Sequence, residues 1–322
     1  MKFEYGTVSV IGKSHMDSEL PNQDYIQGHN IGETVILVAA DGAGTASRSE
    51  EGSRRIVNKV LNNLIHTKNK KIFIDPYKYN LELQKIILDA IDELRESLKK
   101  NNKEKFDLVN TKNTDNQNLF TKVKGYVIKP FHSITRPFQK TIKVPDKTLD
   151  ASEQNEKSEG QSKDNLSNEL IESELSDYAS TFLLIVNSPL STFTAHIGDG
   201  YIIGWNRKLE KLEAQNQIIS LPRNGEYANE TYFFTIDDWK ENIRFNFKKE
   251  PYDTCLIMSD GADNFWIDTD RKSISLPLFE GFIKIREKHM DKSLTNILEN
   301  VFTFEKISKV NTDDATIGMI LR

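Results

Sequence analysis

Four short acidic motifs hold the side chains of this 322-residue chain that could do chemistry: Asn22-Gln23-Asp24, Asp41-Gly42-Ala43-Gly44, Ser259-Asp260-Gly261 and Thr312-Asp313-Asp314-Ala315-Thr316. Asp41 ends the apolar run Val35 to Ala40, Asp260 closes the run Cys255 to Met258, and Asp313 opens the run from Ile317 to Leu321. Three carboxylates therefore stand at strand ends, and a fold that gathers those ends gathers their oxygens. Hard divalent cations take oxygen ligands, and Mg²⁺ keeps several waters while taking one or two carboxylates. Two such ions about 3.5–4 Å apart can share a bridging carboxylate and activate a water for in-line attack on a phosphoryl group. Asp41 is the bridging candidate.

Hydrophobic patterning predicts the elements that must position these groups. Thr7 to Ile11 and Thr34 to Ala40 read as strands, the second buried on both faces because it is nearly all apolar. Ile56, Val57, Val60, Leu61, Leu64 and Ile65 form one helical stripe, and Leu83, Ile86, Ile87, Ala90, Ile91, Leu94 and Leu98 form another. Thr181 to Val186, Thr192 to Ile197 and Tyr201 to Trp205 read as an antiparallel meander with Gly198-Asp199-Gly200 as one of its turns. Phe233 to Ile236 and Thr254 to Met258 extend it, Phe279 to Arg286 and Leu294 to Phe302 read as helices, and Thr316 to Leu321 closes the chain as a strand. This order predicts layered α+β architecture rather than alternating βαβ units.

Composition narrows the function classes. With 37% hydrophobic and 28% charged residues the chain can bury a sizeable core, and its net charge of -5 gives no global reason to expect nucleic acid. The one cysteine, Cys255, lies in an apolar run, which excludes an intrachain disulfide framework and suits a reducing compartment. No charged leader opens the sequence, and no run of about 18 apolar residues could span a membrane. The chain reads as soluble and cytoplasmic.

Between 101 and 177 the periodicity dissolves into Asn, Lys, Ser, Gln and Glu, which predicts a low-complexity, partly disordered insertion within a single domain over 1–322. Its first half is basic and carries Tyr126, Phe131 and Phe138; its second half is acidic and Ser-rich. A hairpin over 123–128 and 138–144 is one option, with disorder over 151–174 preferred. A nucleic-acid or anionic-membrane site is set aside, because the basic charges are spaced and an acidic stretch follows.

These motifs, with Ala179-Ser180-Thr181 and Gly198-Asp199-Gly200 between them, resemble in type and order those of the metal-dependent protein serine/threonine phosphatases of the 2C type, a bacterial subgroup among them. The resemblance covers the chain except the insertion. It implies a four-layer α-β-β-α sandwich, two antiparallel sheets flanked by helices, with a metal site at one end. It also implies two Mn²⁺ or Mg²⁺ ions and a weaker third. By that likeness Asp41 bridges both metals, the Gly42 carbonyl binds one, Asp260 and Asp313 complete the other, and Asp24 orients metal-bound water. Asp199 then helps Asp260 hold the third ion. The implied substrate is a phosphoprotein, and the implied counterpart a cognate Ser/Thr kinase.

Departures from the family pattern matter as much. Gln23 stands where Glu is frequent, Ala43 where His is, Asn264 where Asp is, and Glu19 where many members carry a phosphate-gripping arginine. His15 is the nearest candidate to replace that grip, with a plain turn histidine as the alternative. Arg223, in a polar segment where the family carries a flap, either meets substrate or belongs to a surface loop. Aspartates beside glycine are also ordinary turn residues. Two rival functions stay open: a catalytically silent metal-binding module of the same fold, and a phosphatase for small phosphoesters.

Overall fold

The structure, a computed structural model, describes residues 2–116, 175–206, 218–223, 231–268 and 273–322. The chain divides into two compact units, one of residues 1–100 and 172–322, the other of residues 101–171. The chain opens with strand β1 (Glu4–Val10), helix α1 (Lys13–Asp17), β2 (Tyr25–Ile31), β3 (Thr34–Ala40), α2 (Ser49–His66) and α3 (Asn80–Asn116). Strands β4 (Phe182–Asn187), β5 (Thr192–Ile197), β6 (Tyr201–Trp205), β7 (Ile218–Ser220), β8 (Arg244–Lys248) and β9 (Thr254–Met258) follow. The two-residue strands β10 (Ile267–Asp268) and β11 (Ser273–Ile274) form a small ribbon before α4 (Leu276–Lys288), α5 (Leu294–Val301) and β12 (Ala315–Leu321).

Two five-stranded antiparallel sheets form, ordered β1-β12-β9-β6-β7 and β2-β3-β4-β5-β8. Side-chain alternation along each strand distributes the apolar residues over three layers of core. In β3, Val35, Leu37 and Ala39 face the other sheet, meeting Ile202, Cys255, Ile257 and Ile320, while Ile36, Val38 and Ala40 face the stripes of α2 and α3. In β12, Ile317, Met319 and Leu321 face outward against Phe279 and Phe282 of α4 and Leu294, Ile297 and Leu298 of α5. The α+β sandwich implied by the resemblance is the observed architecture. Among the described residues no helix is long and apolar enough to cross a membrane.

Four expectations change. The meander breaks: β5 pairs with β4 and β8, whereas β6 pairs with β9 and β7 in the other sheet. Gly198-Asp199-Gly200 is therefore a crossover between sheets, and it uses the positive φ of 108° at Gly198, a conformation open to glycine. Residues 233–236 form a turn, not a strand. Strands β2 and β8 escape detection because they are half-buried edges of their sheet, rich in Gln, Asn, Arg and Lys.

Helix α3 also continues to Asn116, past the boundary at 101 where the apolar stripe ends. Its described continuation is helical backbone, and a nucleated helix propagates through such residues at little cost per residue. At the far end of the expected insertion, Leu175 is buried in the core between the sheet and helices α2 and α3. The hairpin over 123–128 and 138–144, the disorder over 151–174 and most of the flap segment lie outside the described residues.

Candidate metal centre

Strand register brings the acidic motifs together. In one sheet, Tyr201 of β6 lies opposite Met258 of β9, which lies opposite Ile317 of β12. Asp199, Asp260 and Asp313 sit just beyond these positions, so all three emerge at one end of that sheet. In the other sheet Tyr25 pairs with Ala40, which places Asp24 and Asp41 side by side. Asp41 is fixed by a reciprocal pair: its N–H donates to Thr181 Oγ1 (2.9 Å), and the Thr181 N–H donates to the Asp41 carbonyl (2.8 Å). Pairing of β3 with β4 runs on past the aspartate through Gly42 and Ser180.

Asp41, Asp199, Asp260 and Asp313 line one cavity of about 400 Å³, together with Gly42, Ala43, Gly44, Thr45, Thr181, Thr231 and Phe233. No Lys, Arg or His is among these residues. Burial, followed by the charges of Asp24, Asp260 and Asp199, pushes the Asp41 carboxyl well above the usual carboxylate range. Burial and the Asp199 charge push Asp260 up to about 6. Buried carboxylates that repel one another favour protonation unless a cation compensates them.

Their all-oxygen donor set fits a hard divalent ion. Among the described residues no group of three or more His, Cys, Asp or Glu side chains is spaced to hold a metal ion. Charge repulsion instead links Asp24 to Asp41, Asp41 to Asp260 and Asp260 to Asp313. An open arrangement of this kind suits an ion that keeps several of its waters.

Behind the cavity Asp24 is only 5% exposed, and among the described residues its Oδ1 has no hydrogen-bond partner. Its Oδ2 accepts from Ser259 Oγ (2.7 Å), and Ser259 Oγ in turn accepts from the Thr316 N–H (3.0 Å). Burial, opposed by the Ser259 hydrogen bond and reinforced by the Asp314 charge, pushes Asp24 up to about 7. Asp199 Oδ2 accepts from Thr231 Oγ1 (2.5 Å), so the crossover aspartate is held toward the cavity.

The structure does not bring His15 into the cavity lining. The ring is buried, with Nδ1 2.8 Å from Asp314 Oδ2, so one of its two nitrogens meets an acidic partner of the chain itself. Arg223 donates its backbone N–H to the Gly198 carbonyl (3.1 Å), and its guanidinium lies 5.7 Å from the centre of the Tyr232 ring. Glu19 is exposed, with a φ of 56° at the end of α1. Cys255 is fully buried between the sheets, and burial pushes its thiol far up, so no thiolate nucleophile is available. The sequence reading missed Asp314, Ser259, Thr231 and Phe233. The first two fall within the acidic motifs, Thr231 closes the polar flap segment, and Phe233 opens the run expected as a strand.

Residues 11–299 match the family defined as Protein phosphatase 2C, and the chain belongs to that family. It is 26% identical over 149 residues, 45% of its length, to Serine/threonine-protein phosphatase 3 of Escherichia coli K12. The chain spans 56% of the length of that relative. A crystal structure of a bacterial serine phosphatase superposes over 99% of this chain and 97% of its own, with a TM-score of 0.53 at 12% identity, a likeness of fold.

Proposed function

We propose that this chain is a Mn²⁺- or Mg²⁺-dependent phosphatase that hydrolyses phosphoserine and phosphothreonine in proteins and opposes a cognate kinase. The observation that carries this reading is the convergence of Asp41, Asp199, Asp260 and Asp313 on one cavity without a compensating side-chain cation among the described lining residues. Asp41, the Gly42 carbonyl, Asp260 and Asp313 would hold two ions, and Asp199 with Asp260 a weaker third. When bound, the ions supply Lewis acidity and a water acidic enough to ionise near neutral pH.

The chain's own groups do the positioning. Asp24 Oδ1 is the free acceptor that can order a water, because Ser259 holds the other oxygen. The Thr181 and Thr231 hydroxyls are committed to the Asp41 backbone and the Asp199 carboxylate, so they fix ligands rather than substrate. With no Lys, Arg or His among the described lining residues, neutralising the phosphate charge would fall to the ions. A single domain with 101–177 inserted and a cytoplasmic setting belong to the same proposal.

The test is turnover of para-nitrophenyl phosphate and of a phosphothreonine peptide by purified protein, with Mn²⁺ and with EDTA. Metal-dependent turnover of both supports the proposal. Turnover of the small ester alone selects the small-phosphoester reading, and turnover of neither while Mn²⁺ binds selects the silent module.

A further inference from the structure

We infer that Asp314, buttressed by His15, is a positioning residue that sets the spacing of Asp24, Asp260 and Asp313, and through it the affinity of the site for divalent ions. The inference rests on the metal-dependent phosphatase reading. Asp314 is 3% exposed and does not line the cavity, so it touches neither substrate nor ion directly. Both of its oxygens are engaged: Oδ1 accepts from the Gly12 N–H (2.6 Å), and Oδ2 from the Gln23 N–H (2.6 Å) and from His15 Nδ1 (2.8 Å). A carboxylate only accepts, so His15 Nδ1 carries the proton in this contact. Charge-assisted bonds of this kind are roughly twice as strong as neutral ones.

Three segments meet at this one residue. Gln23 directly precedes Asp24, so the bond from its N–H fixes where Asp24 starts. Gly12 abuts the peptide joining Asp313 to Asp314, where a Cβ would lie 2.3 Å from the Asp313 carbonyl carbon. Ser14 anchors α1 to the same strand end, donating both its N–H (2.9 Å) and its Oγ (2.7 Å) to the Thr312 carbonyl. Gly261, next to Asp260, packs against the Asp314 carbonyl. Movement of the Asp314 side chain therefore displaces Asp24 and Asp313 relative to each other, while its backbone sets the approach of Asp260. His15 is thereby explained without a substrate contact: it stabilises the buried carboxylate that ties the N-terminal segment to the C-terminal strand.

An amide at 314 has one acceptor oxygen and must turn its NH₂ toward a backbone N–H on one side or the other, so Asp314→Asn breaks the clamp either way. Mn²⁺ binding to the folded, metal-free protein should weaken about 10–100-fold, the range for groups that orient metal ligands, as read by isothermal titration calorimetry. His15→Ala removes one donor and should weaken Mn²⁺ about 3–10-fold, the worth of one hydrogen bond.

Unchanged Mn²⁺ affinity in Asp314→Asn overturns the inference. If that variant does not fold, unchanged affinity in His15→Ala does so. A rise in KM for His15→Ala at saturating Mn²⁺, with Mn²⁺ affinity kept, makes His15 a phosphate contact and also overturns it. Wild-type protein that binds no Mn²⁺ sinks the phosphatase reading itself. Wild type that binds and turns over, beside variants of equal affinity, sinks only this inference.

Discussion

Gly261 and Asp314 touch backbone to backbone: a Cβ at position 261 would stand 1.8 Å from the Asp314 carbonyl oxygen and 3.0 Å from the Asn311 side-chain nitrogen. That nitrogen already donates to the Gly261 carbonyl at 2.7 Å, so neither neighbour has room to retreat. Gly261→Ala must push the turn carrying Asp260 away from the strand carrying Asp313. Overpacking of this kind costs about 1–3 kcal/mol, which in a domain of this size lowers Tm by roughly 2–12 °C. Calorimetry on the metal-free protein checks this, and an unchanged Tm would show that the approach is looser than described.

Asp41→Asn should separate stability from function. Burial and the charges of Asp24, Asp260 and Asp199 raise the Asp41 pKa in the folded state. The folded protein thus holds its proton to higher pH than the unfolded chain, so stability falls as pH rises from the unfolded pKa, and the loss is complete once pH passes the folded pKa. In EDTA at pH 8 the variant should melt above wild type. Its turnover with Mn²⁺ should fall about 1,000-fold or more, beyond the 10–100-fold of a group that only orients a ligand. Full activity in Asp41→Asn removes Asp41 from the bridging role, and a lower melting point in EDTA denies the repulsion.

His196 gives the opposite pH dependence. It is fully buried, and burial followed by the neighbouring Arg244 charge holds its pKa well below the ordinary histidine value. Arg244 Nη2 lies 3.0 Å from His196 Nδ1 and can only donate, so Nδ1 is the acceptor of a neutral ring. The unfolded chain takes up a proton near pH 6.5 while the folded one does not, so the His196 contribution declines as pH falls below about 6.5, by up to ~1.4 kcal/mol per unit. His196→Gln keeps an acceptor for Arg244 but cannot titrate. Denaturant melts at pH 7 and pH 5 should show a smaller acid loss for His196→Gln than for wild type; equal losses would mean that His196 charges within the fold.

How much of this was legible in the sequence depends on how local the cause is. Strands β3, β5 and β6 fall where their apolar runs place them, and α2 follows its stripe, because burial on a given face is written into residue spacing. Edge strands β2 and β8 carry little of that signal. Gly198-Asp199-Gly200 has the chemistry of a hairpin turn, and nothing near it in sequence reveals that β6 leaves for the other sheet to pair with β9.

The site aspartates stood out because a carboxylate beside glycine at a strand end is a local pattern. The role of Asp314 did not, since its partners Gly12, His15 and Gln23 lie about 300 residues away and only register brings them near. His15 was singled out as a cation within reach of the site. The structure instead places it against an anion of the chain itself.

Arg95 offers a test of how the far wall of the cavity is held. It is 6% exposed on α3, and its Nη1 donates to the carbonyls of Phe234 (2.7 Å) and Ile236 (2.8 Å). The Phe234 N–H donates to the Ser180 carbonyl (3.1 Å), so the segment carrying Thr231 and Phe233 is clamped between α3 and the start of β4. Arg95→Met keeps most of the apolar stem but strands carbonyls that a guanidinium had satisfied, at a cost of about 2–4 kcal/mol. Released from its clamp, the wall should raise KM for a phosphothreonine peptide several-fold more than KM for para-nitrophenyl phosphate, because only the larger substrate reaches beyond the cavity floor. Arg95→Lys restores the charge but not the fork, whose Nη1 serves both carbonyls while Nη2 donates to Asp237 Oδ1 (3.3 Å), so it should recover only part of both losses. Full recovery by lysine would mean that the charge alone holds the segment, and equal KM effects on the two substrates would mean that Arg95 supports the ion ligands rather than the wall.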